Sequence, residues 1–140
     1  MLSNRSIPRS IVIPVLAYPD VNQAAAWLCD AFEFTVRLRI GDHRIQLNVA
    51  NGAVIVRETR PNEVNAVLAN GHSVMVRIED ADAHCKRARE RGARITQEPV
   101  TYPYGERQYT AEDIAGHSWT FSQSVADVGP EEWGGTAEKL

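Results

Sequence analysis

The sequence predicts an α+β fold in which two βαβββ modules form a curved mixed sheet around a cleft, with helices on the outer face. One order of elements (strand, helix, three strands) occurs twice along the chain. Asp20 and Asp80, which lie 60 residues apart, each follow an apolar run and precede a helical pattern. A carboxylate in that position accepts hydrogen bonds from the free N–H groups of the first helical turn.

The first module is expected at about residues 8–60. The apolar run IVIPVLAY (11–18) predicts a buried strand. The helix after it should bury one face, because apolar residues recur every three or four positions: Val21, Ala24, Ala25, Leu28 and Phe32. Alternating segments at 36–40, 43–49 and 51–58 predict three strands, with a turn at Asn51-Gly52.

The second module is expected at about residues 71–125. SVMVRI (73–78) predicts a strand, and a helix should follow it and end at Gly92. The remaining strands include the stretch YGERQYTAEDIAGHSWTF (104–121), which turns at Gly116. Residues 59–71 connect the modules. The polar tail (126–140) should be ordered by docking of Trp133, and the whole chain forms a single domain.

Bulk composition limits the classes of partner. The chain has 140 residues, 44% hydrophobic content and a net charge of −3, without the concentrated basic surface that nucleic acid requires. No apolar run approaches the roughly 20 residues of a membrane span. Cys29 and Cys85 form no paired motif, so we expect reduced thiols and a cytoplasmic protein.

Three segments in this order resemble the vicinal oxygen chelate superfamily of glyoxalases, dioxygenases and bleomycin resistance proteins: residues 12–34, 73–95 and 104–121. The last segment is most similar to the bleomycin-resistance-like branch. Ile114 replaces the proline usual in that branch, and Glu33 replaces a helix-terminating glycine. A left-handed Glu33 would cost about 1 kcal/mol, so we expect a different turn there.

The resemblance implies metal ligands on four strands of the metal-dependent members. The corresponding positions here are Ile13, Val56, Ser73 and Thr120, which lack the imidazole, carboxylate and thiolate groups that transition metals prefer. We therefore predict no metal and no cofactor. A shifted alignment would offer only His72 and Glu58.

Two further histidines, His84 and His117, have a structural pattern, and His43 carries no signal. His117 shares strand parity with Trp119 and Phe121, which places it on the helix side of the sheet. His84 lies on the apolar stripe of the second helix, and we expect both histidines to pack rather than catalyse. Trp27 is also expected in the core.

Alternation assigns polar side chains to the cleft. Seven candidate ligand-binding residues should face it: Gln46, Asn48, Met75, Arg77, Gln108, Thr110 and Thr120. Four more cluster at its rim: Tyr102, Tyr104, Arg107 and Tyr109. Aromatic faces and an arginine suit a planar, cationic or carboxylate ligand. Alternatively, Arg107 pairs with Glu112 or Asp113 and the tyrosines cover an edge.

These observations favour a metal-independent protein that sequesters a small molecule, as bleomycin resistance proteins do. The resemblance further implies antibiotic resistance and a homodimer with clefts between subunits, with or without an exchange of arms. One rival is a lyase, isomerase or dioxygenase with an atypical metal at His72 and Glu58, or with acid–base chemistry from Glu106 and Tyr109. Another is an interaction module with a closed cleft.

Overall fold

The computed structural model describes residues 2–63 and 71–138, so part of the predicted connector (64–70) and the end of the tail (139–140) lie outside the described residues. Two βαβββ units follow each other. The first contains β1 (Val15–Tyr18), α1 (Val21–Phe32), β2 (Thr35–Ile40), β3 (Arg44–Val49) and β4 (Gly52–Glu58). The second contains β5 (Val74–Arg77), α2 (Ala81–Glu90), β6 (Arg94–Thr101), β7 (Glu106–Glu112) and β8 (Ser118–Ser124), and a 3₁₀ turn follows at Pro130–Trp133.

Each unit forms one mixed four-stranded sheet. The strand orders are β1-β4-β3-β2 in the first sheet and β5-β8-β7-β6 in the second. In both, the first strand of the unit pairs in parallel with the last, and the other pairs are antiparallel. The predicted α+β class and the doubled βαβββ order are therefore confirmed.

Both helices begin at the predicted aspartates. The Asp20 side chain accepts a hydrogen bond from the Gln23 amide, and Asp80 accepts one from the Ala83 amide, each at 3.0 Å. The expectation of a different turn at the end of α1 is wrong. Glu33 takes the left-handed conformation at φ 66°, and its N–H donates to the Cys29 carbonyl. Glu33 therefore bears a backbone strain of about 1 kcal/mol that a glycine at this position would avoid.

The two sheets share one core. Phe34, beside the edge strand β2, packs against Trp119 of β8 with ring centroids 5.4 Å apart. At the opposite edge of the first sheet, the Tyr18 hydroxyl of β1 donates to Asp113 at 2.5 Å. Because contacts reach the second unit from both edges of the first sheet, the sheets are joined through their helix faces rather than side by side.

The helices meet within this core. The Trp27 indole donates to the Arg91 carbonyl at 2.8 Å, and the Arg87 guanidinium donates to the Asp30 carbonyl at 2.9 Å. Trp27 is partly buried against the core, in line with the prediction. The face of each sheet that points away from the helices, called the polar face below, is therefore directed away from the shared core.

Candidate functional site

The polar face of the second sheet carries most of the predicted ligand-binding residues. β5 and β8 are in register with Met75 opposite Thr120 and Arg77 opposite Ser122. On the adjacent strand β7, Gln108 lies opposite Ser122 and Thr110 opposite Thr120. These side chains share one face because Trp119 and Phe121, on the alternate positions of β8, are fully buried.

Hydrogen bonds connect the polar groups of this face. Tyr104 Oη donates to Gln108 Oε1 at 3.4 Å, and Gln108 Nε2 donates to Ser122 Oγ at 3.0 Å. Ser122 Oγ in turn donates to Glu106 Oε1 at 2.6 Å, and this bond is the main reason that the pKa of Glu106 is lowered. Strand alternation with Thr120 already placed Ser122 here, although it was not among the predicted ligand-binding residues.

Beside this chain of groups, the hydroxyls of Thr110 and Thr120 lie 3.0 Å apart and bond to each other. Met75 remains 61% exposed on the same face, and the Arg77 guanidinium donates to Ser124 Oγ at 3.2 Å. The second sheet thus presents an open surface of hydroxyl, amide and thioether groups, together with the charged groups of Arg77 and Glu106 and the Arg94–Glu112 ion pair.

The polar face of the first sheet is partly closed by the N-terminal segment. Gln46 is only 2% exposed, because its amide donates to the Ser6 carbonyl at 2.9 Å and its oxygen accepts from Arg37 at 2.5 Å. Arg37 also donates to the carbonyl groups of Arg5 and Ile7. Gln46 therefore lies on the predicted face of the sheet, but the N-terminal segment covers it.

Asn48 lies on the same polar face and stays partly accessible. Its amide donates to Thr35 Oγ1 at 3.2 Å. The two sheets therefore divide the predicted cleft residues. Gln46 and Asn48 belong to one polar face and the others to the second, and the two faces point away from a common core.

Two rim predictions need correction. Tyr109 is fully buried on the helix face, where its ring stacks near Phe121 and its hydroxyl bonds to His84 Nδ1. Burial raises the pKa of Tyr109, which makes it a poor proton donor or base. Arg107 also points to the helix side and forms a salt bridge with Asp82 at 2.9 Å, not with Glu112 or Asp113.

The other rim residues do meet. Tyr102 and Tyr104 stack on each other at the edge of the second polar face, with ring centroids 5.3 Å apart. Trp133 from the tail packs on Tyr104 at 5.1 Å, as the predicted docking of the tail required. No periodic pattern marks Trp133, so its contact with the tyrosines was not predictable from the sequence.

The strand positions implied for metal ligands are partly misplaced. Val56 is fully buried on the helix face, whereas its neighbours Ile55 and Arg57 belong to the polar face. On the polar faces of β1, β4, β5 and β8, the described residues are apolar, hydroxyl-bearing or arginine: Val15, Ala17, Ala53, Ile55, Arg57, Met75, Arg77, Ser118, Thr120 and Ser122. These side chains do not fit a transition metal.

The alternative ligand set finds no support in the described part of the chain. Glu58 lies opposite Tyr18 in the register of β1 and β4, on the parity of the buried Val56. Within residues 2–63 and 71–138, no three His, Cys, Asp or Glu side chains lie close enough to hold a metal ion. The proposed acid–base pair is also separated, because Glu106 lies on the polar face and Tyr109 in the core.

A cavity of about 800 Å³ lies between β1 and the turn before β8, with Arg57, Glu63, His72 and His117 in its lining. Arg57 forms a salt bridge with Glu63 at 2.6 Å, and its hydrogen bonds lower the pKa of Glu63 to about 2. His117 is buried, as predicted, and its Nε2 bonds to the Ala17 carbonyl at 2.8 Å. Its Nδ1 has no partner among the described residues.

Asp113 organises the turn beside this cavity. Its carboxylate accepts from the Tyr18 hydroxyl, from the Trp119 indole at 3.0 Å and from the amides of Ala115 and His117. Burial and the adjacent Asp113 carboxylate raise the pKa of Tyr18. All four bonds connect the modules or close the turn, so this cluster is structural.

A second, shallower cavity of about 610 Å³ lies where the end of α1 meets the start of α2, and His84 contributes to its lining. The imidazole packs 4.3 Å from Phe121, and burial lowers the pKa of His84. Cys85 lies beside it in the core, and burial raises the pKa of the Cys85 and Cys29 thiols. His84 therefore packs, as predicted, and neither thiol is activated.

Comparisons with known proteins agree with this architecture. The model of the glyoxalase/bleomycin resistance protein/dioxygenase superfamily matches residues 10–121. The crystal structure of TioX from Micromonospora sp. ML1 is 36% identical, with a TM-score of 0.68 and coverage of 82% of this chain and 98% of that chain. No curated protein sequence matches the chain.

Two more distant structures are similar in fold alone. A glyoxalase-related enzyme from Fulvimarina pelagi is 12% identical, with a TM-score of 0.70 and coverage of 94% of this chain and 99% of that chain. A glyoxalase/bleomycin resistance protein/dioxygenase from Alicyclobacillus acidocaldarius is 14% identical, with a TM-score of 0.64 and coverage of 86% and 95%. With a family model that matches most of its length and a doubled βαβββ fold, this chain belongs to the glyoxalase/bleomycin resistance protein/dioxygenase superfamily.

Proposed function

We propose that this protein is a metal-independent small-molecule binding protein that sequesters its ligand, in the manner of bleomycin resistance proteins. The proposed site is a cleft between two copies of the chain, in which the polar face of one sheet meets the opposite polar face of a partner. Ligand sequestration in the cytoplasm would make it an antibiotic resistance protein.

The observation that carries this proposal is the composition of the polar faces. The four strands that would supply metal ligands present aliphatic, hydroxyl and guanidinium groups instead, in the described part of the chain. Such groups bind ligands by hydrogen bonds and apolar contact without supplying a Lewis acid. The exposed Met75 and the half-buried Gln108 and Thr120 offer a surface of this kind.

The fold supports a site that includes a second copy of the chain. Both polar faces are directed away from the core that the two sheets share, so one chain alone cannot enclose a ligand between them. In a two-fold pair of chains, the first polar face of each copy would meet the second polar face of the other. The same contact would then occur twice, as in any isologous dimer. Apolar side chains that are exposed on these faces, Val15 and Met75, would then be covered.

Ligand binding and its chemical outcome test the proposal together. Protein purified without a metal-chelating tag should contain no stoichiometric Ni, Zn, Fe or Mn. Thermal-shift screening against glycopeptide and aromatic antibiotics should find compounds that raise the melting temperature by mass action. Each bound compound should be recovered chemically unchanged after denaturation. A stoichiometric metal that chelators remove, or a bound compound that is converted, would overturn the proposal.

A further inference from the structure

Three aromatic rings form a corner at the rim of the second polar face, and we refer to Tyr102, Tyr104 and Trp133 as the aromatic corner. The two tyrosine rings are nearly parallel, with an interplanar angle of 4°, whereas Trp133 is tilted by 54° to Tyr104. Trp133 is 45% exposed and both tyrosines are half-buried. Ring surface therefore remains open on the solvent side of the corner.

Backbone geometry, rather than burial, brings Trp133 to this place. The tail leaves β8 with the amides of Val125 and Ala126 bonded to the Gly105 carbonyl, in the turn that follows Tyr104. The 3₁₀ turn is then closed by bonds from Gly129 N–H to Glu132 Oε2 and from Gly135 N–H to the Pro130 carbonyl. The turn buries none of its residues, so Trp133 contributes nothing to the core.

The aromatic corner is continuous with the polar groups of the sheet. The Tyr104 hydroxyl bonds to Gln108, which leads through Ser122 to Glu106. The Tyr102 hydroxyl accepts from the Gln97 amide. Both phenol oxygens are therefore held in place by the sheet, and the rings keep a fixed orientation for stacking.

The segments that carry the corner are rich in carboxylates. Glu131 and Glu132 belong to the same turn as Trp133, Asp127 lies on the tail, and Glu106 follows Tyr104 by two positions. None of these four carboxylates forms a salt bridge with another residue in the described ranges. On the adjoining polar face, the Arg94 guanidinium forms a salt bridge with Glu112, and the Arg77 guanidinium donates to Ser124 Oγ. The negative charge is thus available to a ligand.

We propose that the aromatic corner selects the ligand and takes a planar aromatic cation. A flat ring gains contact area and quadrupole attraction against Trp133 and Tyr104, and a positive charge adds a cation–π term and attraction to the carboxylates that the same segments carry. This inference rests on the proposed small-molecule binding and names the ligand class for that site.

A pair of probes with the same ring system separates stacking from charge. Isothermal titration of the full chain with 9-aminoacridine, a cation near neutral pH, should show binding at least about tenfold tighter than with acridine-9-carboxylate. Trp133→Ala should weaken 9-aminoacridine binding by about threefold to tenfold, while Trp133→Phe should retain most of the affinity. Glu131→Gln should weaken the binding of 9-aminoacridine but not the binding of acridine-9-carboxylate.

Trp27→Phe is the matched control, because Trp27 lies on α1, where its indole bonds to the Arg91 carbonyl. This variant should bind 9-aminoacridine like the original chain. Equal or tighter binding of the carboxylate would overturn the inference, as would unchanged cation affinity in Trp133→Ala. The inference would also be overturned if neither probe bound while thermal-shift screening found other ligands. In that case the proposed sequestration would stand, and only the ligand class would be wrong. Binding of 9-aminoacridine that depends on Trp133, by a chain that stays monomeric, would support the corner while contradicting the two-copy cleft.

Discussion

At the scale of single residues, His84 connects burial to the pH dependence of stability. Its ring lies among Phe32, Phe121 and Tyr109, and burial lowers its pKa despite the opposing effect of the nearby Glu33 carboxylate. Arg87, on the next turn of α2, acts in the same direction as burial. Folding therefore favours the neutral imidazole.

The sign of the effect follows from proton uptake. When the pH falls below the ordinary value of 6.5, the unfolded chain binds a proton at His84 before the folded chain does. The free energy of unfolding should thus fall between about pH 7 and pH 5, by at most about 1.4 kcal/mol per pH unit from this group. Urea denaturation at several pH values measures this slope.

His84→Asn supplies the comparison, since it removes the titrating group and keeps a polar side chain near Tyr109. Its slope over the same range should be shallower than that of the original chain. The carboxylates with lowered pKa, Glu63, Asp82 and Glu106, lose their stabilising effect only at lower pH, because their ordinary values are 4.5, 3.8 and 4.5. Stability that is constant or rises on acidification would contradict the assignment.

The sequence predicted the sheet face of a side chain correctly where the alternation within a single strand determines that face. Alternation placed Trp119 and Phe121 in the core and Gln108, Thr110 and Thr120 on the opposite face. The same alternation excluded Tyr109 from that face, but its closeness in sequence to Tyr102 and Tyr104 outweighed this signal. Arg107 was missed because its partner, Asp82, is on α2, and no local spacing reveals a contact between distant elements.

At the scale of elements, two left-handed glycines have different roles. Gly92 (φ 93°) ends α2, and a Cβ there would meet no atom within 4 Å. Gly105 (φ 85°) precedes β7, and a Cβ there would lie 2.5 Å from the Ala126 carbonyl oxygen. The first position requires only a backbone conformation, whereas the second also requires close approach of the tail.

Gly105→Ala should therefore do more than strain one residue. We expect Gly92→Ala to cost about 1 kcal/mol and to leave the tail in place. Gly105→Ala should cost at least about 1 kcal/mol more and displace the tail from Tyr104. Urea denaturation gives the costs. Tryptophan fluorescence in a Trp27→Phe background, compared with the same background carrying Trp133→Phe to subtract the buried Trp119, reports exposure of Trp133. Equal costs with unchanged fluorescence would show that Gly105 does not hold the tail.

Helix starts and stops were predictable because their chemistry is local. Asp20 and Asp80 cap the first turns, and Gly92 ends the second helix as expected. The end of α1 was not predictable in the same way. Glu33 adopts a conformation that its type disfavours, because Phe32 and Phe34 on either side are both buried in the shared core. Packing of two large rings outweighs a strain of about 1 kcal/mol.

At the scale of the whole molecule, the sequence indicated the modules but not their mutual arrangement. Each module shows a helix face and a polar face in its own pattern. Whether two such modules lie side by side or join through their helix faces depends on contacts between distant residues, such as Tyr18 with Asp113 and Phe34 with Trp119. The predicted cleft residues were consequently divided between two faces. No helix in the described ranges is long and apolar enough to span a membrane.

The arrangement leads to a prediction about association. If the polar faces of two copies meet, Met75 on the edge strand β5 of the second face becomes buried, and a charge placed there would lose its contact with water. Met75→Glu should weaken the dimer at least about 100-fold, because an unpaired charge pays a desolvation cost of several kcal/mol. Light scattering coupled to size-exclusion chromatography, over a dilution series, measures the shift toward monomer. Far-ultraviolet circular dichroism should remain unchanged, since the Met75 side chain is 61% exposed in the single chain.

Val36→Glu is the matched control. Val36 is also exposed, at 39%, but it lies opposite the buried Leu47 in the register of β2 and β3, on the helix side of the first sheet. The same charge placed there should leave the dimer intact. A chain that is monomeric at every concentration, or a Met75→Glu variant that dimerises as well as Val36→Glu, would show that the second polar face is not covered by another copy. The ligand would then have to bind an open sheet surface, and sequestration would lose its enclosing wall.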